Sequence, residues 1–431
     1  MTLRPCCLLL LALACAGESA STPASDVVAP GGDTSATDVP NSPDAPVSED
    51  TTVDPDVAPE GPEVSDDVAA APLPDYLAPN VDGTGPYRVG FRVLEATYTP
   101  TVGAHEFAPR TLRVAVWYPA TKPNGNPATY TLGITRSTVY SEAVPRGDAP
   151  MPVMVFSHGN LGFAESAFFL TEHFASHGWL VLAPDHTGNT YADSGDAVTA
   201  TTFLTRPLDV SATLDLVYAL PDGDPLKGRA SQDVIVAGHS FGGYTSIAIG
   251  GATYAMDALE AECDGGGTSN FCKELDAAHR EAFRTGLRDA RFKAILPMAP
   301  GASFAFGAAG PGDVAVPVLL STGGRDNQNS DLDDGDPYWL ALPDRNGVAR
   351  LRLPDAGHMT FSSSCEAIGS IAEGDGCEGA PFIDPLEAHR IITTFSTAFV
   401  RAHLFADPPG IAVLNGTPPV SSAEDATLEQ R

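Results

Sequence analysis

Apolar and polar positions divide this chain, from about residue 88 onward, into short buried runs separated by longer stretches of helical spacing. Arg88–Thr99 and Arg110–Tyr118 predict two early antiparallel strands. Pro152–Ser157, Leu180–Ala183, Asp233–Gly238, Phe292–Pro297 and Val316–Thr322 are largely apolar runs, the pattern of strands covered on both faces, and Val348–Leu353 is expected to be the last strand. Between and after them, Ala164–His177 (stopped by Gly178), Pro207–Leu220 and Glu387–Leu404 predict helices. Strand-like and helix-like segments that alternate in this way argue for an α/β fold: a mostly parallel twisted sheet with helices on both faces.

One of these junctions carries chemistry. The run Val234–Ala237 leads into Gly238-His-Ser-Phe-Gly242, which fits G-x-S-x-G, and an Ala- and Ile-rich helical stretch follows. On those five letters alone, a glycine-rich turn with a capping serine serves equally well. The strand before and the helix after decide for a nucleophile elbow, a tight bend that exposes the Ser240 hydroxyl and aims the N–H of Phe241 at the same point.

A serine hydroxyl needs a base to take its proton and an acid to steady the imidazole. His358 is the base candidate, in Leu353-Pro-Asp-Ala-Gly-His, a loop just after a strand. Asp326 is the acid candidate, in Gly323-Gly-Arg-Asp, with Asp331, Asp333 and Asp334 as nearby alternatives. A turn aspartate capping its own backbone would look the same. The second oxyanion donor is expected from Ser157-His-Gly-Asn-Leu-Gly162, at the N–H of Asn160, where glycine lets the backbone approach a substrate oxygen. His158 is expected to orient this loop, His239 to pack beside the elbow and His186 to be structural. Phe163, Phe168, Phe169 and Trp339 could line a cleft or pack in helices.

These residues resemble the α/β-hydrolase superfamily, and within it the platelet-activating-factor acetylhydrolase and dienelactone-hydrolase-like group. The resemblance rests on Gly85-Pro-Tyr-Arg-Val-Gly90, Val116-Trp-Tyr-Pro-Ala120, Val155-Phe-Ser-His-Gly159, Gly238-His-Ser-Phe-Gly-Gly243, and Gly323-Gly-Arg-Asp326 with Gly357-His358. It implies an α/β-hydrolase fold and a cofactor-free serine hydrolase acting on esters. It maps the nucleophile to Ser240, the base to His358 and the oxyanion amides to Asn160 and Phe241. Two departures matter. Dienelactone hydrolases carry a cysteine where this chain has Ser240. The acetylhydrolases place their acid after the strand following the elbow, where this chain reads Leu296-Pro-Met-Ala-Pro300 without one, so Asp326 stands at the dienelactone-hydrolase position. Cutinase-like polyester hydrolases share the elbow and an exported location.

Composition adds the setting. Met1–Ala16, with Arg4 before the apolar Leu8–Ala14, is expected to be an export signal too short to span a bilayer. Ala12-Leu-Ala-Cys15 resembles a bacterial lipoprotein signal that would lipidate Cys15, and Ala14-Cys-Ala16 would suit ordinary secretion. The expected location is therefore the cell envelope or the exterior of a bacterium. Residues 17–79 are rich in Pro, Asp, Ser and Thr, with fourteen acids and no Lys or Arg, a composition that predicts a disordered acidic linker. Residues 80–408 are expected to form the catalytic domain and 409–431 a C-terminal tail.

Residues 1–79 carry a net −13 of the formal −31, so the remainder carries −18. That excludes a basic footprint for nucleic acid and disfavours docking on anionic lipid, leaving Cys15 as the one membrane link. The expected partner is a small-molecule or lipid ester. No cysteine or histidine spacing suggests a metal, and no cofactor is expected. Cys263, Cys272, Cys365 and Cys377 are an even number in an exported chain. Three pairings exist, and short separations favour Cys263–Cys272 and Cys365–Cys377. The first pair sits in Ala252–Arg291, read as a disulfide-braced insertion over the carboxyl edge of the sheet, either a lid or a surface excursion. A peptidase or amidase with the same three residues, and a non-catalytic surface binding protein, are the rival readings.

Overall fold

A computed structural model describes residues 80–431, apart from 122–124, 148 and 194–197. The expected export signal, the expected lipidation at Cys15 and the expected linker fall outside the described residues. Eleven strands form the main sheet: β1 (Arg88–Tyr98), β2 (Arg110–Ala120), β3 (Pro127–Thr129), β4 (Thr135–Ser141), β5 (Met151–Ser157), β6 (Leu180–Pro184), β7 (Ala230–His239), β8 (Phe292–Met298), β9 (Val318–Gly323), β10 (Val348–Leu353) and β11 (Thr427–Gln430). Their order is β11-β10-β9-β8-β7-β5-β6-β2-β1-β4-β3. The six strands from β10 to β6 are mutually parallel. β2 pairs antiparallel with both β1 and β6.

The period-2 geometry of the strands sorts the core into two layers. Val153, Val155, Val234 and Val236 face one apolar cluster, and Met154, Phe156, Ile235 and Ala237 face the other. Helices α1 (Phe168–Ser176), α2 (Ala200–Tyr218), α3 (Phe241–Gly250), α4 (Met256–Asp264), α5 (Asn270–Glu274), α6 (Ala277–Thr285), α7 (Asp336–Ala341), α8 (Ser364–Ala367), α9 (Pro385–Phe405) and α10 (Pro408–Leu414) surround it. Buried residues of α2 and α3 join the first cluster, and those of α1 and α9 join the second. The strands are apolar on both sides because both faces are covered.

Several boundaries differ from the sequence reading for local reasons. Helix α1 begins at Phe168 rather than Ala164; residues 164–167 form turns, with the Ser166 N–H donating to the Phe163 carbonyl three residues back and the Ala164 N–H to Asp185 Oδ1 at 2.7 Å. Helix α2 begins at Ala200, not Pro207; Thr199 caps it by accepting the Thr202 N–H. Pro207 therefore lies inside the helix and cannot donate to the Phe203 carbonyl four residues back. The Tyr244 hydroxyl fills that gap at 3.0 Å. The C-terminal residues are not a tail outside the domain: α10 packs on α9, and β11 adds an antiparallel edge strand to β10. β3, β4 and β11 were missed because most of their positions are polar; β3 and β11 are the two edges of the sheet and β4 lies next to one of them.

The insertion Ala252–Arg291 folds as α4, α5 and α6. Both expected disulfides form, Cys263–Cys272 tying α4 to α5 and Cys365–Cys377 closing the segment after β10.

Candidate active site

Ser240 sits where β7 turns into α3, with φ 58° and ψ −120°, a backbone conformation that side chains other than glycine rarely adopt. The turn is possible because both flanking glycines are bare. A Cβ on Gly238 would lie 2.1 Å from the Gly242 carbonyl oxygen, and one on Gly242 would lie 1.8 Å from that of Ser157. The bend therefore packs directly against the end of β5 and lifts the serine out of the sheet.

Asp326 and His358 meet beside it, each from the loop after a neighbouring parallel strand, β9 and β10. Both side chains are buried, and His358 Nδ1 lies 2.8 Å from Asp326 Oδ2. The other carboxylate oxygen accepts the N–H groups of Gln328 and Asn329 at 2.9 and 2.8 Å, which holds the acid in place. The alternative acids have other work: Asp331 pairs with Arg350 and Arg352, Asp334 accepts the Ser303 N–H, and Asp333 accepts the Ser330 hydroxyl. His358 is fixed on its far side by His239, whose Nε2 donates to the His358 carbonyl at 3.0 Å with the ring centroids 4.7 Å apart. Burial, then the nearby His358, holds His239 well below the ordinary histidine pKa, so it stays neutral. No Ser240–His358 hydrogen bond is formed among the described residues; the Ser240 hydroxyl accepts from Asn329 Nδ2 at 3.5 Å.

The loop that carries His358 is clamped by the second disulfide segment. The Met359 N–H donates to the Asp375 carbonyl at 2.7 Å, and Gly357 abuts Gly376 so closely that a Cβ would lie 2.6 Å from its Cα.

Asn160 and Phe241 both line the cleft beside Ser240. The cleft holds about 470 Å³. Its walls are mostly apolar: Phe203 from α2, Phe241 from α3, Leu259 from α4 and Phe271 from α5, with Phe304 half-exposed at the mouth. Glu262 is the one charged side chain on the wall among the described residues. The insertion thus forms one side of the cleft rather than a distant excursion. Phe163, Phe168, Phe169 and Trp339 do not line it. Phe168 lies beneath the Arg136 guanidinium, Phe169 stacks on His389 and Trp339 carries the Arg431 guanidinium.

A second Ser-His-Asp series lies behind the first. Ser157 Oγ is 2.9 Å from His186 Nε2, and His186 Nδ1 is 2.9 Å from Asp209 Oδ2. All three are fully buried, so no substrate reaches them. Asp209 also accepts the Tyr98 hydroxyl and the Arg110 guanidinium, which makes this a structural anchor, as expected for His186. Sequence reasoning missed Arg206, Asn189, Asn329 and, of the cleft phenylalanines, Phe203, Phe271 and Phe304. Arg206 had a signal, a cation on the apolar face of a helix between Phe203 and Val210. Asn329 had none beyond standing three residues after Asp326.

A serine on a strained strand-to-helix turn, with an imidazole–carboxylate pair on the next loops of a parallel sheet, is the arrangement of an α/β-hydrolase fold. A family model described as chlorophyllase matches residues 138–260, the stretch from β4 through the oxyanion turn and the elbow into α4. The chain is also similar to a solved structure described as a ferulic acid esterase from Streptomyces cinnamoneus. That likeness has a TM-score of 0.53 at 20% identity, covering 84% of this chain and 98% of the other. No curated protein matches the chain in sequence.

Proposed function

We propose that this protein is an exported serine esterase. Ser240 attacks the carbonyl carbon of a carboxylic ester while His358 takes its proton. Asp326 holds the imidazole in the tautomer that leaves Nε2 free and steadies the imidazolium that forms. The N–H groups of Asn160 and Phe241 receive the oxyanion. His358 then protonates the leaving alcohol, and water clears the acyl-enzyme by the same steps in reverse. The observation that carries the reading is the buried 2.8 Å contact between His358 and Asp326 beside a serine at φ 58°. Catalytic hydrogen bonds often tighten only once substrate is bound, which is where the Ser240–His358 bond belongs.

The phenylalanine-walled cleft supports an uncharged ester carrying an aromatic or branched apolar group, in line with the acid named for the similar structure. Export and lipidation at Cys15 belong to the same proposal, supported by the leader sequence and by two disulfides of the kind kept in oxidising compartments. Palmitate labelling that survives Cys15→Ala would remove the lipid anchor from it.

The central test is a fluorophosphonate probe with p-nitrophenyl acetate and butyrate. Wild type should label and hydrolyse both esters, and Ser240→Ala should do neither while remaining folded. Faster cleavage of a peptide anilide than of the esters would favour an amidase. A wild-type protein that never labels would favour the binding protein.

A further inference from the structure

Behind the oxyanion turn lies a cation that the esterase reading does not use. Arg206 is fully buried. None of its hydrogen bonds goes to a carboxylate; they go to Ser157, His158 and Asn189, which hold the turn, and to Thr245 on α3. Nη2 donates to the His158 carbonyl and, at 3.3 Å, to Ser157 Oγ. Nη1 donates to Asn189 Oδ1 at 2.5 Å, and Asn189 Nδ2 in turn donates to Asn160 Oδ1 at 2.7 Å. Nε reaches Thr245 Oγ1 on α3 at 3.4 Å. The guanidinium also lies 4.7 Å above the Phe241 ring. One side chain therefore touches both segments that would supply an oxyanion donor.

The local geometry shows why that matters. His158 Nε2 accepts the His186 N–H at 3.1 Å, so its proton is on Nδ1, which donates to the Gly159 carbonyl at 2.7 Å. The Gly162 N–H donates to the same oxygen. A trans peptide is planar, so fixing the Gly159 carbonyl fixes the Asn160 N–H pointing the opposite way. Arg206 closes this frame from below, at the His158 carbonyl, and Asn189 closes it at the Asn160 side chain. Burying a guanidinium with no carboxylate bonded to it is costly; the nearby charge of Asp209 offsets part of that cost, and the fork spends its hydrogen bonds on the turn instead.

We propose that Arg206 is a positioning residue for both oxyanion amides, setting the spacing of the Asn160 and Phe241 N–H groups through the His158 carbonyl, Asn189 and the Phe241 ring. The inference rests on the esterase reading and adds to it a residue that touches no substrate. Because the donors are needed only where negative charge develops, disturbing their spacing should lower kcat and leave KM little changed.

The test compares Arg206→Met, Arg206→Lys and Asn189→Leu with wild type on p-nitrophenyl butyrate, counting active sites by the end point of fluorophosphonate labelling. Arg206→Met should lower kcat per labelled site by about 10- to 100-fold, a fraction of what losing a whole donor costs. Arg206→Lys, which keeps the charge and loses the fork, should recover part of it. Asn189→Leu keeps the buried cation and its bond to the His158 carbonyl but cuts the chain from Arg206 Nη1 through Asn189 to Asn160; it carries the test if Arg206→Met does not fold, with an expected loss of about tenfold. Affinity for a boronic acid that mimics the tetrahedral intermediate should fall in step with kcat. Unchanged kcat per labelled site in both Arg206→Met and Asn189→Leu, with only a lower melting temperature, would overturn the proposal and leave Arg206 a packing residue. Failure of the underlying reading is seen separately, as esterase activity that survives Ser240→Ala.

Discussion

Acid should unfold this protein well above the range in which carboxylates titrate, because its fold buries neutral histidines. His158, His186 and His239 are buried, and burial holds each well below the ordinary histidine pKa, with the charge of Arg206 adding to the effect on the first two. Burial pushes His389 down to about 4. In the unfolded chain all four titrate near 6.5. The unfolded state therefore binds more protons between about pH 6.5 and pH 4, so stability is fully present above 6.5 and falls as the pH drops through that window. At pH 5 each histidine that stays neutral in the fold costs about 2 kcal/mol relative to pH 7.5. Four of them approach about 8 kcal/mol, comparable with the roughly 5–15 kcal/mol that holds a typical domain together. Asp185, Asp209, Asp334 and Glu172, which burial raises, take up protons in the folded state and offset part of the loss. Urea unfolding followed by tryptophan fluorescence from pH 8 to pH 5 measures the net effect. The midpoint should fall steadily below pH 6.5, with proton uptake on unfolding. His389→Gln keeps an N–H for the Ser362 carbonyl that His389 now serves, and should reduce the uptake at pH 5 by about one proton. A midpoint that stays flat from pH 7.5 to pH 5 would refute the reasoning.

Three further outcomes follow from the site. Asp326→Asn should lower kcat by about 10⁴-fold with little change in KM, since the amide favours the wrong histidine tautomer; a loss under tenfold in steady-state kinetics would remove Asp326 from the role. Gly242→Ala sets a Cβ 1.8 Å from the Ser157 carbonyl oxygen, and neither backbone can yield, so it should cost more than about 4 kcal/mol. A melting curve like that of wild type would contradict the elbow's packing. Replacing Cys365 and Cys377 by serine should lower stability by about 3 kcal/mol and also slow turnover, because that segment clamps the His358 loop; unchanged turnover per labelled site would show the clamp is not needed.

Much of this molecule was legible in its sequence. Strands buried on both faces announce themselves as apolar runs, so the central sheet could be read from β5 to β9, with β10 legible as a strand despite Arg350 and Arg352. The elbow glycines were visible because backbone approaches within 2.2 Å of a would-be Cβ admit no other residue. Asp326 and His358 were found from their place after two strands, since parallel strands bring the loops at their carboxyl ends together whatever lies between them in the chain. Tertiary structure alone decided what surrounds them. The cleft wall joins Phe203, Phe271 and Phe304, which are apolar residues like any in a core until the insertion packs against α2. Helix α2 runs through Pro207 because the Tyr244 hydroxyl, 37 residues away, replaces the missing donor. Arg206 reads as an ordinary helical cation until the end of β5 is laid against it. Local spacing records what each residue can do, but which polar groups meet in the interior depends on how distant segments pack, and no single stretch of the chain carries that information.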